Sequence, residues 1–265
     1  MFNTGILNLY FFNPKIKWVF LLHFVYLITT FLNKKTSMKN IVVFTGAGVS
    51  AESGIKTFRD SDGLWEQYRI EDVATPEAWQ RNRKLVLGFY NERRKQVIAA
   101  KPNNAHYALV ELESKYNVRI ITQNIDDLHE RAGSKKVLHL HGEILKARST
   151  VDPSLITKIK GDELNEGDMC TKGTQMRPHI VWFGEMVPAM DQACLIAEQA
   201  DFFIVIGTSL NVYPAANLLN FISTDCDAYL IDPNITTVPH HHTITIIKAK
   251  AGTGVPALVK KLMKQ

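Results

Sequence analysis

The chain is poor in cysteine: among its 265 residues only Cys170, Cys194 and Cys226 occur, an odd number with no Cys-x-x-Cys pair. This excludes a disulfide-stapled secreted scaffold and fits a reducing cytoplasm, the expected location. Internal repeats and low-complexity tracts are also missing, so neither a solenoid nor a largely disordered protein is indicated. With 46% apolar residues the chain can bury a large core, and its length suits one large domain, alone or with a small appended module. Nor is there an excess of basic charge through the body of the chain. The formal net charge is +5, but residues 1–37 hold Lys15, Lys17, Lys34 and Lys35 and no acid, leaving 27 basic against 26 acidic residues after them. A nucleic-acid partner is therefore not expected.

A membrane-length apolar run is wanting too. The nearest approach is Trp18 to Leu32, fifteen residues without a formal charge, flanked by Lys17 and Lys34. A spanning helix needs about 20. A signal peptide is the second reading of this leader, but "TTFLNKKTSMKN" offers no small-residue cleavage site. The third reading, adopted here, is that Met38 is the native start, that residues 1–37 lie outside the native fold and that residues 38–265 form the domain. No membrane partner is expected on that reading.

What the chain does contain is a series of short runs rich in β-branched residues: 40–48, 118–126, 202–210, 227–234 and 243–249. Helical patterns at 83–100 and 104–116 lie between them. Near-continuous apolar strands alternating with helices predict an α/β fold, a Rossmann-like doubly wound parallel sheet covered on both faces. Ligands in such sheets sit beyond the carboxyl ends of the strands, where this sequence places GAG, QNID and GTS. Residues 137–185 break the alternation and predict a small inserted module.

The first strand runs into Gly46-Ala47-Gly48-Val49-Ser50-Ala51, which satisfies G-x-G-x-x-G/A. Such glycines let backbone approach a pyrophosphate at a helix N-terminus, although a plain tight turn explains them equally well. No second strand ending in an acid follows at the usual distance. The stretch "ESGIKTFRDSDGLWEQY" reads instead as a long loop, which argues against a simple hydride-transfer dehydrogenase. Gln123, Asn124 and Asp126 end the second strand, placed either to bond a ligand's sugar and amide or to cap a helix. In "VLHLHGE", alternation puts Val137, His139 and His141 on one face and Leu138 and Leu140 on the other. A histidine at a strand end suits general-base work, and is equally at home as a structural imidazole.

Taken in order, "GAGVSAESGIKTFRDSDGLW", "TQNIDDLHERAG", "HLHGE", "RPHIVWFGE" and "GTSLNVYPAA" closely resemble the sirtuin family of NAD-dependent protein lysine deacylases, and within it the bacterial class grouped with desuccinylases and demalonylases. The resemblance implies NAD as cofactor and acyl-lysine proteins or peptides as substrates. It assigns Gly46, Ala47 and Gly48 to the NAD phosphates and Phe58, Arg59 and Trp65 to a loop closing over the nicotinamide end. Gln123, Asn124 and Asp126 match the ribose and nicotinamide pocket, Asn124 and Asp126 also standing in the catalytic set. Gly207, Thr208 and Ser209, then Leu230, Ile231, Asp232 and Ala251, match contacts on the adenosine side. His141 matches the general base, which acts on a ribose hydroxyl, and the implied products are nicotinamide, deacylated lysine and O-acyl-ADP-ribose. Val181, Trp182, Phe183 and Gly184, facing Asn211 and Val212, match two segments that sandwich an extended peptide by strand addition; read without the family, Trp182 and Phe183 are also compatible with ordinary core aromatics.

Tyr90 and Arg93 lie three apart on one predicted helix face, a spacing that by itself also describes a solvated surface pair. By resemblance they match the pair that binds the distal carboxylate of succinyl-, malonyl- or glutaryl-lysine. Arg94 is expected to point about 100° away around the helix. Finally, most sirtuins hold a structural zinc with two cysteine pairs between the "HG" and "WFGE" segments. Here that region has Cys170 alone and no histidine between His141 and His179, so four ligands cannot be assembled and zinc is expected to be absent. Val151, Leu155, Ile156, Ile159 and Leu164 are the expected apolar support of the metal-free module.

Overall fold

A computed structural model describes residues 38–56, 68–208, 210, 213–234 and 244–265, and Lys39–Gln265 cluster as one compact unit. Six strands, β1 (Asn40–Thr45), β2 (Asn117–Thr122), β3 (Val137–His139), β7 (Phe202–Ile206), β8 (Asp227–Ile231) and β9 (Ile244–Ile247), form an all-parallel sheet in the order β3-β2-β1-β7-β8-β9. From β1 the chain builds outward first to one side and later to the other, so the order reverses between β1 and β7. That junction is where an open α/β sheet opens a crevice.

Alternate residues of the central strands feed two separate cores. Ile41, Val43, Ile120, Ile204 and Ile206 pack on one face under α4 (Asn104–Leu112) and α7 (Ala251–Leu262). Val42, Phe44, Ile121, Phe203 and Val205 pack on the other, under α6 (Met190–Ala197) and a 3-10 segment, Ala215–Phe221. Burial on both faces is why these strands read as continuous apolar runs, and each such side chain contributes about 1.5–3 kcal/mol by leaving water.

Local signals set the helix starts. Thr75 Oγ1 accepts the Ala78 N–H at 3.0 Å to cap α2 (Pro76–Arg81), which follows the short α1 (Ile70–Val73), and Asn82 Oδ1 accepts the Leu85 N–H at 3.1 Å to cap α3 (Arg83–Ala99). Asn103 and His106 exchange side-chain and backbone bonds in a capping box at the start of α4. Among the described residues no helix is long and apolar enough to cross a membrane.

A second sheet, antiparallel in the order β5-β4-β6, comprises β4 (Gly142–Ser149), β5 (Ile156–Lys158) and β6 (Met176–Ile180). The inserted module thus begins at Gly142 and not at Val137, because Val137–His139 pair with Ile120–Thr122 in the main sheet. Gly142 at the boundary has φ of 82°, and a Cβ there would lie 2.0 Å from the His179 carbonyl oxygen, so only glycine can make the turn.

The module is supported differently from the sequence expectation. Leu164 is buried and Ile159 packs against the core, but Val151 and Ile156 are 64% and 45% exposed. Polar side chains carry much of the attachment. Arg94, fully buried, donates through Nε to the Ile144 carbonyl at 2.8 Å and through Nη1 to Asn91 Oδ1 at 2.6 Å and the Asp162 carbonyl at 3.1 Å. Asn91 closes the staple, accepting the Leu164 N–H at 3.0 Å and donating to the Leu164 carbonyl at 3.2 Å. Within the module, buried Gln175 donates through Nε2 to the carbonyls of Asn165 and Met176 and accepts the Gly167 N–H at its Oε1.

Candidate active site

The carboxyl ends of β1, β2, β3 and β7 converge, and each contributes polar groups. Gly46, Ala47 and Gly48 leave β1 through two consecutive 3-10 turns, Ala47–Val49 and Ala51–Ser53, where the fingerprint predicts the first turn of a long helix. The glycines are required by a close approach of two loops. The Gly48 N–H donates to the Gly207 carbonyl at 2.9 Å, and a Cβ on Gly48 would stand 2.6 Å from Gly207 Cα. A Cβ on Gly46 would meet Thr208 Cβ at 2.7 Å.

Beyond β2, Gln123 Nε2 donates to Thr208 Oγ1 at 3.0 Å and so bridges the ends of β2 and β7. Asn124, buried, donates through its backbone N–H to Thr122 Oγ1 at 3.0 Å and through Nδ2 to Ser50 Oγ at 3.2 Å. Ser50 in turn donates to Asp126 Oδ2 at 3.0 Å, and Asp126 Oδ1 accepts the Leu128 N–H at 3.1 Å. Burial pushes the Asp126 carboxyl above its usual range despite these donors. Asp126 thus holds the start of α5 (Leu128–Ala132), as the capping alternative has it, and its other oxygen is held by Ser50. Underneath, Thr45 Oγ1 bonds Thr122 Oγ1 at 2.8 Å and His129 Nε2 at 3.1 Å.

His139 and His141 flank buried Leu140, and the structure gives them opposite chemistry. His139 lies 3.0 Å through Nδ1 from the Asn124 carbonyl and 2.8 Å through Nε2 from Glu130 Oε1. Both partners are acceptors, so both ring nitrogens donate. Burial opposes the charge, but the Glu130 carboxylate outweighs it and holds the His139 pKa above the ordinary value. His141 lies 3.0 Å through Nδ1 from the Gln123 carbonyl. A carbonyl only accepts, which puts the proton on Nδ1 and leaves the Nε2 lone pair available. Burial lowers the His141 pKa, the Gln123 bond offsetting part of that effect. Burial and the Gln123 carbonyl thus favour a neutral His141 with a basic Nε2, whereas the Glu130 carboxylate favours the protonated form of His139.

On α3, Tyr90 and Arg93 are 2% and 8% exposed, which excludes the solvated-pair reading. Burial drives the Tyr90 phenol far above its usual range and lowers the Arg93 pKa, and the Arg93 charge is felt by both the Tyr90 hydroxyl and the Asp126 carboxylate. Trp182, 2% exposed, is a core residue whose Nε1–H donates to Tyr90 Oη at 3.1 Å. Its neighbour Phe183 is 44% exposed. The N–H groups of Val181, Trp182 and Phe183 are spoken for by the His141 carbonyl, Glu185 Oε2 and the Ala74 carbonyl. A strand added here would have to be met by carbonyls and by Gly184, whose φ is 89°.

Other expected residues fall differently. Leu230 and Ile231 are in the two cores, and Ala251 is buried at the start of α7, so on that side Asp232 is the residue standing past the end of its strand. Phe58, Arg59, Trp65, Ser209, Asn211 and Val212 lie outside the described residues. Arg94 is the residue whose role the sequence hid. Among the described residues no cluster of three or more His, Cys, Asp or Glu could hold a metal ion.

Residues 46–214 match the model of the Sir2 family. The chain is 51% identical over 231 residues to an NAD-dependent protein deacylase of Bacteroides thetaiotaomicron, covering 85% of this chain and 99% of that protein. It is 60% identical over 196 residues to a protein of the same description from Aggregatibacter actinomycetemcomitans, covering 74% and 94%. Among solved structures, a Sir2 homologue in complex with NAD superposes with a TM-score of 0.76 at 41% identity, covering 86% of this chain and 91% of that one. A variant Sir2 homologue bound to ADP-ribose gives 0.78 at 40% identity, covering 86% and 93%.

Proposed function

This chain belongs to the Sir2 family, and from that premise we propose that it is an NAD-dependent protein lysine deacylase with a preference for acidic acyl groups. The observation that carries the reading is the arrangement at the end of β3: a His141 whose Nδ1 is fixed on the Gln123 carbonyl, leaving the Nε2 lone pair available.

The residues present fit NAD. Gly46 and Gly48 keep side chains out of the junction between the β1 and β7 loops, and the buried Asn124–Ser50–Asp126 chain supplies amide and carboxylate partners for a ribose and a nicotinamide amide. When bound, NAD supplies an electrophilic ribose carbon and a departing nicotinamide, so the products are nicotinamide, the freed lysine and O-acyl-ADP-ribose. His141 receives a proton at Nε2 while its Nδ1–H, fixed on the Gln123 carbonyl, keeps the ring aimed. Tyr90 and Arg93 receive the far end of the acyl chain, where a guanidinium can pair with a carboxylate through two bonds and the phenol donates a third. Asp232 and the Gly207–Thr208 turn hold the adenosine side.

Acyl-peptides offered with NAD and followed by nicotinamide release test this directly: succinyl or malonyl peptides turn over faster than acetyl. Arg93→Met should depress the acidic acyl peptide selectively, and equal losses on both would sink the preference. Binding of NAD or ADP-ribose without turnover, the alternative from another class, is excluded by nicotinamide release that depends on acyl-peptide.

Two structural expectations travel with this reading. The module from Gly142 to Ile180 holds no zinc, its attachment being the Arg94–Asn91 staple; stoichiometric zinc by elemental analysis would overturn that. The native protein begins at or beside Met38 and acts in the cytoplasm, which mass spectrometry of the native N-terminus and cell fractionation examine.

A further inference from the structure

We propose that Trp182 is a specificity residue: its indole N–H fills the acceptor side of the Tyr90 hydroxyl, leaving that hydroxyl to donate to an anionic acyl end. This rests on the assignment of Tyr90 and Arg93 to the acyl end given above.

The indole cannot turn away. The Arg177 guanidinium lies 3.3 Å above its ring, Trp79 stands 5.7 Å away at centroid distance, and the Trp182 backbone N–H is bound by Glu185 Oε2 at 2.8 Å. Glu185 holds Arg177 through two bonds, at 2.6 and 3.0 Å, and Arg148 braces the same carboxylate at 3.2 and 3.3 Å. With Trp182 and Tyr90 each 2% exposed, water does not compete freely for the 3.1 Å bond between them.

A phenolic oxygen that accepts from a fixed donor keeps its own proton for another partner. Among the described residues, the hydrogen bond at Tyr90 Oη is the one from the indole. The phenol's resistance to ionisation keeps it a donor across the physiological range. A buried donor left without an acceptor is unfavourable, and an acetyl methyl offers none, whereas a succinyl or malonyl carboxylate does. The Arg177 charge is held by Glu185, and the larger charge effect on the Tyr90 hydroxyl comes from Arg93. Trp182 thus acts through Tyr90, setting the direction of a bond that Arg93 alone does not set.

The test compares kcat/KM for succinyl and acetyl forms of one peptide in the full chain, at saturating NAD. Trp182→Phe removes the N–H and keeps an aromatic plate; benzothienylalanine at position 182 removes it while keeping the bicyclic shape, should the smaller ring impair folding. Either change is expected to lower succinyl kcat/KM about tenfold more than acetyl. In a Tyr90→Phe background the same change should alter the ratio no further, since its target is gone. Equal losses on both peptides, or the same ratio change with and without the Tyr90 hydroxyl, would reduce Trp182 to packing and overturn the inference. A wild-type enzyme without succinyl preference overturns the acyl assignment and this inference together; a preference untouched at position 182 overturns this inference alone.

Discussion

Where β1 and β7 end, Gly48 and Gly207 meet backbone to backbone, and a single added carbon has no room. Where the antiparallel module meets α3, one guanidinium and one carboxamide reach across to the carbonyls of Ile144, Asp162 and Leu164. The parallel sheet is thus held by strand pairing and two apolar cores, with tight main-chain fits at its working edge. The module packs Ile144, Ala147, Leu164, Met176 and Ile180 into a third apolar cluster shared with α1 to α3, and polar side chains of α3 reach into it. The first arrangement leaves its loops no room to shift; the second adds directional bonds to an apolar seam.

The sharpest separation of the two comes from His141→Ala. It should cut kcat by about 10²–10⁴-fold while thermal unfolding stays that of the wild type, if the lost group is the proposed proton acceptor at the edge of the fold. A stability loss of comparable weight would show His141 to be structural.

Acid tests the parallel sheet's interior. Burial lowers the His106 pKa to about 4, and His129, buried beside it and next to Thr45, is lowered well below its ordinary value. The unfolded chain binds these protons near pH 6.5 and the folded one does not, so stability is full above that pH and falls as pH drops from about 6.5 towards 4. Chemical denaturation across that window should show a decline on the order of 3 kcal/mol, reduced in His106→Gln.

Arg94→Met addresses the module. Three carbonyl or amide acceptors lose a charged donor, and a drop of about 2–4 kcal/mol is expected, with hydrogen exchange rising first at residues 159–165. Exchange rising uniformly would deny the module its separate attachment. Gly48→Ala should cost about 1–3 kcal/mol and weaken NAD binding measured by calorimetry, since the two loops must part to admit the methyl. The smallest effect belongs to Lys95→Ala. Its exposed 2.8 Å pair with Glu163 lies one helical position from Arg94, and its loss should leave the melting temperature unchanged.

Much of this was legible in the sequence for a physical reason. Strands buried on both faces announce themselves as apolar runs, and the polar residues that follow them had to be loops at one edge of the sheet. His139 and His141 were placed together correctly, but their opposite protonation depends on Glu130 and on two backbone carbonyls, which no spacing reveals. Arg94 stayed hidden because the solvated stripe of α3 is narrow: Glu92, Lys95 and Gln96 are exposed, while Tyr90, Asn91, Arg93 and Arg94 are all buried. The expected turn of 100° away from Arg93 is real, yet it leads to the module's carbonyls and not to water. Of the module's expected apolar support, Leu164 and Ile159 pack into the core, whereas Val151 stands exposed with its N–H held by Ser149 Oγ.

The pairing register has a consequence of scale. Thr122 stands level with His139 and Thr45, Thr45 with Ile206, Ile206 with Ile231, and Ile231 with Ile247, so all six strands finish flush. With neighbours about 4.8 Å apart, that edge runs about 24 Å across the sheet. It runs from His139 and His141 at one end, through the glycine junction in the middle, to Asp232 towards the other. On the proposed reading a ligand with one nucleotide spans only part of that length, and one with two spans both ends at once.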